Sequence, residues 1–211
     1  MSSDTAMREY SKTPALCPQT ALSMAGGLIE RYDRGAWRDR IVNKMLTLVG
    51  LPLDAPWGAP FIQYVGHWSQ YIHATNRSLW PFPMSATRCE DLFLHAMERN
   101  ALAEEPEEGD IALLMDRATG EYLQGGFVLD VHKNRDAFGA AIDYHCLVIE
   151  GDTDHQGTPG AGGVCRVKRV LAAKRGDCFI RWTKLDHRGA TADPMVVTEV
   201  EMGRTRVKVA S

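Results

Sequence analysis

Residues 55–68 read APWGAPFIQYVGHW, a Pro-Trp loop that runs directly into an amphipathic helix. A group on the first turn of such a helix feels the positive end of the helix dipole. A thiol there is held as thiolate near neutral pH, ready to attack a carbonyl. The residue at that point is Gly58, which has no side chain. The five cysteines, Cys17, Cys89, Cys146, Cys165 and Cys178, lie far apart and form no CxxC pair. An odd number without pairing motifs reads as free thiols in a reducing compartment, with no disulfide frame and no zinc site. Cys89 and His95 are six apart on a predicted helix, which puts them on different faces. His145 and Cys146 adjoin on a predicted strand and point to opposite faces. Either could line a cleft near Asp152, and a relocated Cys/His pair stays open, such as Cys146 or Cys165 with His155. His67 and His73 have no carboxylate at ligand spacing, and His132, His145, His155 and His187 carry no ligand motif. No metal and no cofactor is expected. Residues 154–163, DHQGTPGAGG, lack the lysine and helix of a phosphate loop.

The elements that must position these groups fall into two halves. Helices are expected over about 19–33 and 35–49, the second with Trp37, Ile41, Met45 and Leu48 as one apolar stripe. A third helix starts near Gly58 and buries Phe61, Ile62, Val65, Trp68 and Ile72. A fourth spans about 86–101, capped by Ser85, with Cys89, Leu92, Phe93 and Met97 inside. After the acidic stretch Glu104–Asp110 the pattern becomes strands: Ile111–Met115, Gly126–Val131, Ala141–Glu150, Gly163–Val170 and Asp177–Trp182. Met195–Glu201 and Thr205–Val209 form a last candidate hairpin around Gly203. Helices followed by strands imply an α+β fold with a mainly antiparallel sheet. Residues 1–14 read as a loose N-terminal segment, 15–182 as the domain and 183–211 as a C-terminal β-hairpin extension.

Five short motifs stand in order along this framework. Pro56–Phe61, PWGAPF, is similar to Pro-Trp-Cys-x-x-Phe. Pro106–Leu114, PEEGDIALL, is similar to a Pro-x-x-Gly-Asp element that opens a core strand. Gln124–Val131, QGGFVLDV, is similar to His-Val-Gly before an apolar strand. Val148–Thr153, VIEGDT, is similar to Ile-Glu-Gly-Asn-Thr. Residues 162–169 and 178–182, GGVCRVKR and CFIRW, match a Gly-Val-x-x-x-x-Arg and Phe-Ile-Arg-Trp close. Together they span residues 56–182 and resemble the papain-like bacterial and phage cell-wall hydrolases. These are the CHAP group (cysteine, histidine-dependent amidohydrolase/peptidase) and the related NlpC-type peptidases.

The resemblance implies a papain-like fold and assigns three positions. Gly58 stands where the family has its nucleophilic cysteine, Gln124 where it has its histidine, and Asp152 where it has an asparagine. Glycine cannot be acylated and glutamine does not titrate near neutral pH. Asp152 is the mildest change, because a carboxylate can also orient an imidazole. The expectation is a catalytically inactive relative of peptidoglycan amidases and endopeptidases. It would serve as a binding or structural module, with a phage tail or baseplate component as the specific setting. Trp57, Gly58, Gln124, Glu150 and Asp152 would line its cleft. Aromatics near it, Trp57, Tyr64, Trp68 and Trp80, either stack on sugars or pack the core. Two alternatives stand beside this: an active hydrolase with the relocated pair named above, and an immunity or inhibitor protein.

Composition bounds the partners. The chain has 211 residues, 45% hydrophobic and 24% charged, with formal net charge −3. Disorder and low complexity are excluded, and no basic field argues for nucleic acid. No apolar run reaches membrane-spanning length and no signal peptide is read at the N-terminus, so synthesis in the cytoplasm is expected, with later incorporation into a virion or secretion-type particle. Arg166, Lys168, Arg169, Lys174 and Arg175 read as a solvated basic turn or an acidic-partner contact. Protein partners are expected through the C-terminal hairpin, whose strands can pair with a neighbouring chain or extend the domain's own sheet.

Overall fold

Four helices precede and then cover an antiparallel sheet in the computed structural model, which describes residues 16–32, 37–72, 77–139, 141–172 and 175–185. The helices are α1 (Pro18–Tyr32), α2 (Trp37–Leu48), α3 (Gly58–Ser69) and α4 (Cys89–Glu98). A two-residue ribbon, β1 (Tyr71–Ile72) and β2 (Arg77–Ser78), follows α3. The main strands are β3 (Leu102–Ala103), β4 (Ile111–Met115), β5 (Tyr122–Arg135), β6 (Ala141–Thr153), β7 (Gly163–Leu171) and β8 (Cys178–Ile180). They form one six-stranded sheet in the order β3-β8-β4-β5-β6-β7, antiparallel throughout. A short 3-10 turn, Trp182–Lys184, follows β8. The α+β expectation is met, and each of the five expected main strands overlaps an observed one.

Strand alternation divides the core. Ile111, Phe127 and Ile149 face the helices, packing with Phe61, Ile62 and Val65 of α3. Their chain neighbours Ala112, Val128 and Val148 point the other way and join Tyr144, Cys146, Leu171 and Phe179 in a second apolar cluster. α3 sits unusually close to β6. A Cβ on Gly151 would lie 2.4 Å from Cβ of Phe61, so only glycine admits this approach. Trp80 packs at a tilt against Trp182, with ring centroids 5.0 Å apart, and against Phe82 at 5.2 Å. Gln63 secures it: the amide Oε1 accepts from Trp80 Nε1 at 2.6 Å, and Nε2 donates to the carbonyls of Pro83 and Ala86 at 2.7 and 2.8 Å. The loop before α4 is thereby fixed by one fully satisfied buried amide.

Several local expectations need correction. α4 is shorter than expected and Ser85 does not cap it; instead the Asp91 carboxylate accepts the backbone N–H of Thr87 at 3.1 Å and Arg88 at 2.9 Å. Trp68 is not core. It is 39% exposed and packs against Tyr64, His67 and Tyr71 at the outer end of α3. The strand expected to run to Trp182 ends at Ile180, because Trp182 turns inward and donates Nε1–H to the Gly109 carbonyl at 2.7 Å. The segment 1–14, His73, Lys174, His187 and the C-terminal hairpin all lie outside the described residues. Among the described residues, no helix is long and apolar enough to cross a membrane.

Candidate functional site

Pro56 and Trp57 deliver the chain into α3, whose first residue is Gly58. Pro60 lacks an N–H and has φ preset for a first turn, so the helix starts there at little cost. Phe61 makes the first helical bond, to the Trp57 carbonyl at 2.9 Å. Trp57 itself is 6% exposed, which settles it chiefly as a packing residue with one edge toward the cleft.

Three positions far apart in sequence meet at this helix start. A Cβ built on Gly58 points at Gln124, 3.2 Å from its Oε1, and stands 3.6 Å from the Gly151 carbonyl oxygen. Gln124, on β5, is 3% exposed. Its Nε2 donates to the Gly151 carbonyl at 2.8 Å and makes a longer contact, 3.4 Å, with Glu150 Oε2. The amide is therefore fixed, with its oxygen turned toward Gly58. Asp152, at the end of β6, accepts the Trp57 backbone N–H at 3.1 Å, bridging 95 residues of sequence. Its carboxylate lies at the positive end of α3, where the dipole stabilises negative charge. Asp152 has φ of 59°, a conformation that Asn and Asp tolerate better than other non-glycine residues. Its backbone oxygen accepts from Gly160 N–H at 2.7 Å, joining the strand end to the glycine-rich loop.

These residues lie at the floor of an open cleft of about 840 Å³. Its walls are Val42 and Asn43 of α2, the loop from Leu53 to Trp57, Leu123 of β5, and Pro159, Gly160 and Gly162. Of the five expected cleft residues, Trp57, Gly58, Gln124 and Asp152 line it and Glu150 does not. Glu150 is fully buried and turns to Arg169, whose Nε and Nη2 donate to its two oxygens at 2.7 and 2.6 Å. Arg169 Nη2 also donates to the Gly157 carbonyl at 3.0 Å, which clamps the 154–162 loop against the sheet. Arg169 therefore does not belong to a solvated basic turn, although Arg166 and Lys168 are exposed. Bidentate ion pairing inside the protein is legible only in three dimensions, because residues 150 and 169 sit on neighbouring strands.

Among the described residues, the cleft lining contains no cysteine and no histidine. Cys146 lies in the second apolar cluster, where burial pushes its thiol up to about 11. Cys165 is buried with its Sγ 3.8 Å from the Thr153 carbonyl, and His155 is exposed on the loop. Burial likewise pushes Cys89 and Cys178 up to about 12. Cys17 moves down, held by hydrogen bonds from Thr20, just before the start of α1. His95 is set apart from Cys89, with its Nε2 3.2 Å from the Pro81 carbonyl oxygen and its ring on Phe82. Among the described residues, no group of three or more His, Cys, Asp or Glu could hold a metal ion. Sequence reasoning missed Asn43, Leu53, Asp54, Leu123 and Pro159, loop and edge residues that carry no periodic signal. Comparison with protein-family models, curated proteins and solved structures returns no match.

Proposed function

We propose that this chain is a catalytically silent relative of the papain-like CHAP and NlpC-type cell-wall amidases and endopeptidases. Its cleft serves as a binding module for peptidoglycan or for a protein of a phage tail or baseplate. The observation that carries this reading is the meeting of Gly58, Gln124 and Asp152 at one helix start. A Gly58 Cβ would stand in contact with the end of the Gln124 side chain, which makes the two positions neighbours, yet glycine offers no nucleophile and an amide no base. The cleft is open and keeps an apolar rim, so binding survives the loss of chemistry.

Incubation with purified sacculi tests the proposal. The protein is expected to pellet with them and to release no muropeptides. Leu53→Glu with Leu123→Glu, both on exposed rim positions, should weaken retention about tenfold through lost apolar burial. Muropeptide release would overturn the silent-relative reading, and retention indifferent to the rim would overturn the cleft as the binding surface.

A further inference from the structure

One end of the Gln124 amide is used and the other is not. Nε2 donates to the Gly151 carbonyl at 2.8 Å, which fixes the orientation of the group. Oε1 accepts no hydrogen bond among the described residues, although the residue is only 3% exposed. A carbonyl oxygen so enclosed calls for a donor from outside the protein, a water or the N–H of a ligand that replaces it. Oε1 is aimed at the backbone of Gly58, where a Cβ would stand 3.2 Å from it, and both residues line the cleft. The missing side chain at position 58 is the space through which that donor comes. Gly58 also adds the complementary group. Its N–H opens α3, has no intrahelical acceptor and donates to nothing among the described residues.

Charge selects among donors. The positive end of the α3 dipole disfavours a cation beside Gly58. Asp152, already engaged with the Trp57 N–H at that end, and Asp54 at the exposed mouth disfavour an anion. A neutral group that both donates and accepts is what remains, and an amide is such a group. Leu53 and Leu123, 62% and 50% exposed, offer an apolar rim to its flank.

We infer that Gly58 and Gln124 form a recognition point for a neutral amide with an apolar flank: Gln124 Oε1 accepts the ligand's N–H, and the Gly58 N–H donates to a ligand oxygen. Both residues then serve binding. A side chain at position 58 would fill the approach. Glutamine at 124 presents an acceptor at every pH, which a titrating imidazole does not. The inference rests on the proposed function only in treating the cleft as a binding site, and it names the ligand group that the site reads.

An NMR titration of the full chain tests it, read at the Gly58 backbone amide and the Gln124 side-chain amide. The probe is N-methylisocaproamide, one amide on a leucine-like chain, and it should shift both signals saturably. Methyl isocaproate keeps the carbonyl and lacks only the N–H, and should bind about tenfold more weakly. Gln124→Leu should weaken the amide about tenfold and the ester little, because the ester never uses that acceptor. Gly58→Ala should weaken both by filling the approach; the φ of Gly58 is not left-handed, so alanine suits its backbone. Thermal melts confirm that each variant folds. Equal affinity for amide and ester, or amide affinity indifferent to both substitutions, would overturn the inference. So would the absence of any shift with about 10 mM amide, enough to fill a millimolar site. Tighter binding of isocaproate or of isohexylammonium than of the amide would overturn it in favour of an ion site. Sacculus retention separates this from the proposed function. An amide preference without retention leaves the inference standing and removes the cell-wall reading. Retention undiminished in both variants, with no amide preference, removes the inference alone.

Discussion

Position 58 opens α3 against one flexible neighbour. The atom nearest a Cβ there is the end of a flexible amide, 3.2 Å away, so a side chain fits with a small shift of Gln124. Gly58→Cys with Gln124→His should therefore create a thiol that titrates below the ordinary value of about 8.5, through the helix dipole and the imidazole. The pH dependence of iodoacetamide alkylation at position 58 measures it, and titration at or above that value would remove the argument that the two positions are matched. The native thiols supply the background. Cys17, partly exposed and held down by Thr20, should alkylate first, and the buried Cys89 and Cys146 last, as peptide mapping would resolve. Gly58 and Gln124 were both legible from the sequence, because short motifs flank them. The cleft role of Asp54 was not, since nothing local distinguishes it from any other loop carboxylate.

At the scale of elements, the cleft depends on how β6 and β7 hold the glycine-rich loop between them. The Glu150–Arg169 pair spans the two strands and anchors the Gly157 carbonyl. Arg169→Met leaves a fully buried carboxylate without its partner and should destabilise the fold by about 3–5 kcal/mol, measured by urea unfolding. Adding Glu150→Leu should recover most of that loss; a double variant as unstable as the single would show that packing, not charge, decides the site. The starts of α3 and β4 were readable from Pro-rich and acidic punctuation. The spacing of Trp68 continues the apolar stripe of α3, but the residue sits in the last turn, partly exposed against Tyr64, His67 and Tyr71. Arg169 reads as one more solvated cation in sequence because its neighbours Arg166 and Lys168 are exposed, and only cross-strand pairing distinguishes it.

For the molecule as a whole, two imidazoles whose pKa burial lowers, His67 foremost and His95 second, predict acid sensitivity. His67 on α3 is 6% exposed, its Nε2 lacks a hydrogen-bond partner among the described residues, and desolvation lowers its pKa from 6.5 to about 4. The unfolded chain then binds a proton that the folded chain refuses across this window, so stability falls as pH drops from about 6.5 toward 4. The contribution is on the order of 3 kcal/mol. His67→Phe should flatten the dependence of Tm on pH in that window, and an unchanged slope would assign the acid sensitivity to other groups.

The sequence by itself determined the α+β class, the order of elements and the positions Gly58, Gln124 and Asp152, because periodicity, turn residues and short motifs are local properties of a chain. Only the tertiary structure decided that these three meet, that Glu150 turns away to Arg169, and that Asp54 and Asp152 line one cleft. Those facts depend on strand register and on the close seating of α3 over Gly151, which bring together residues that sequence separation keeps apart.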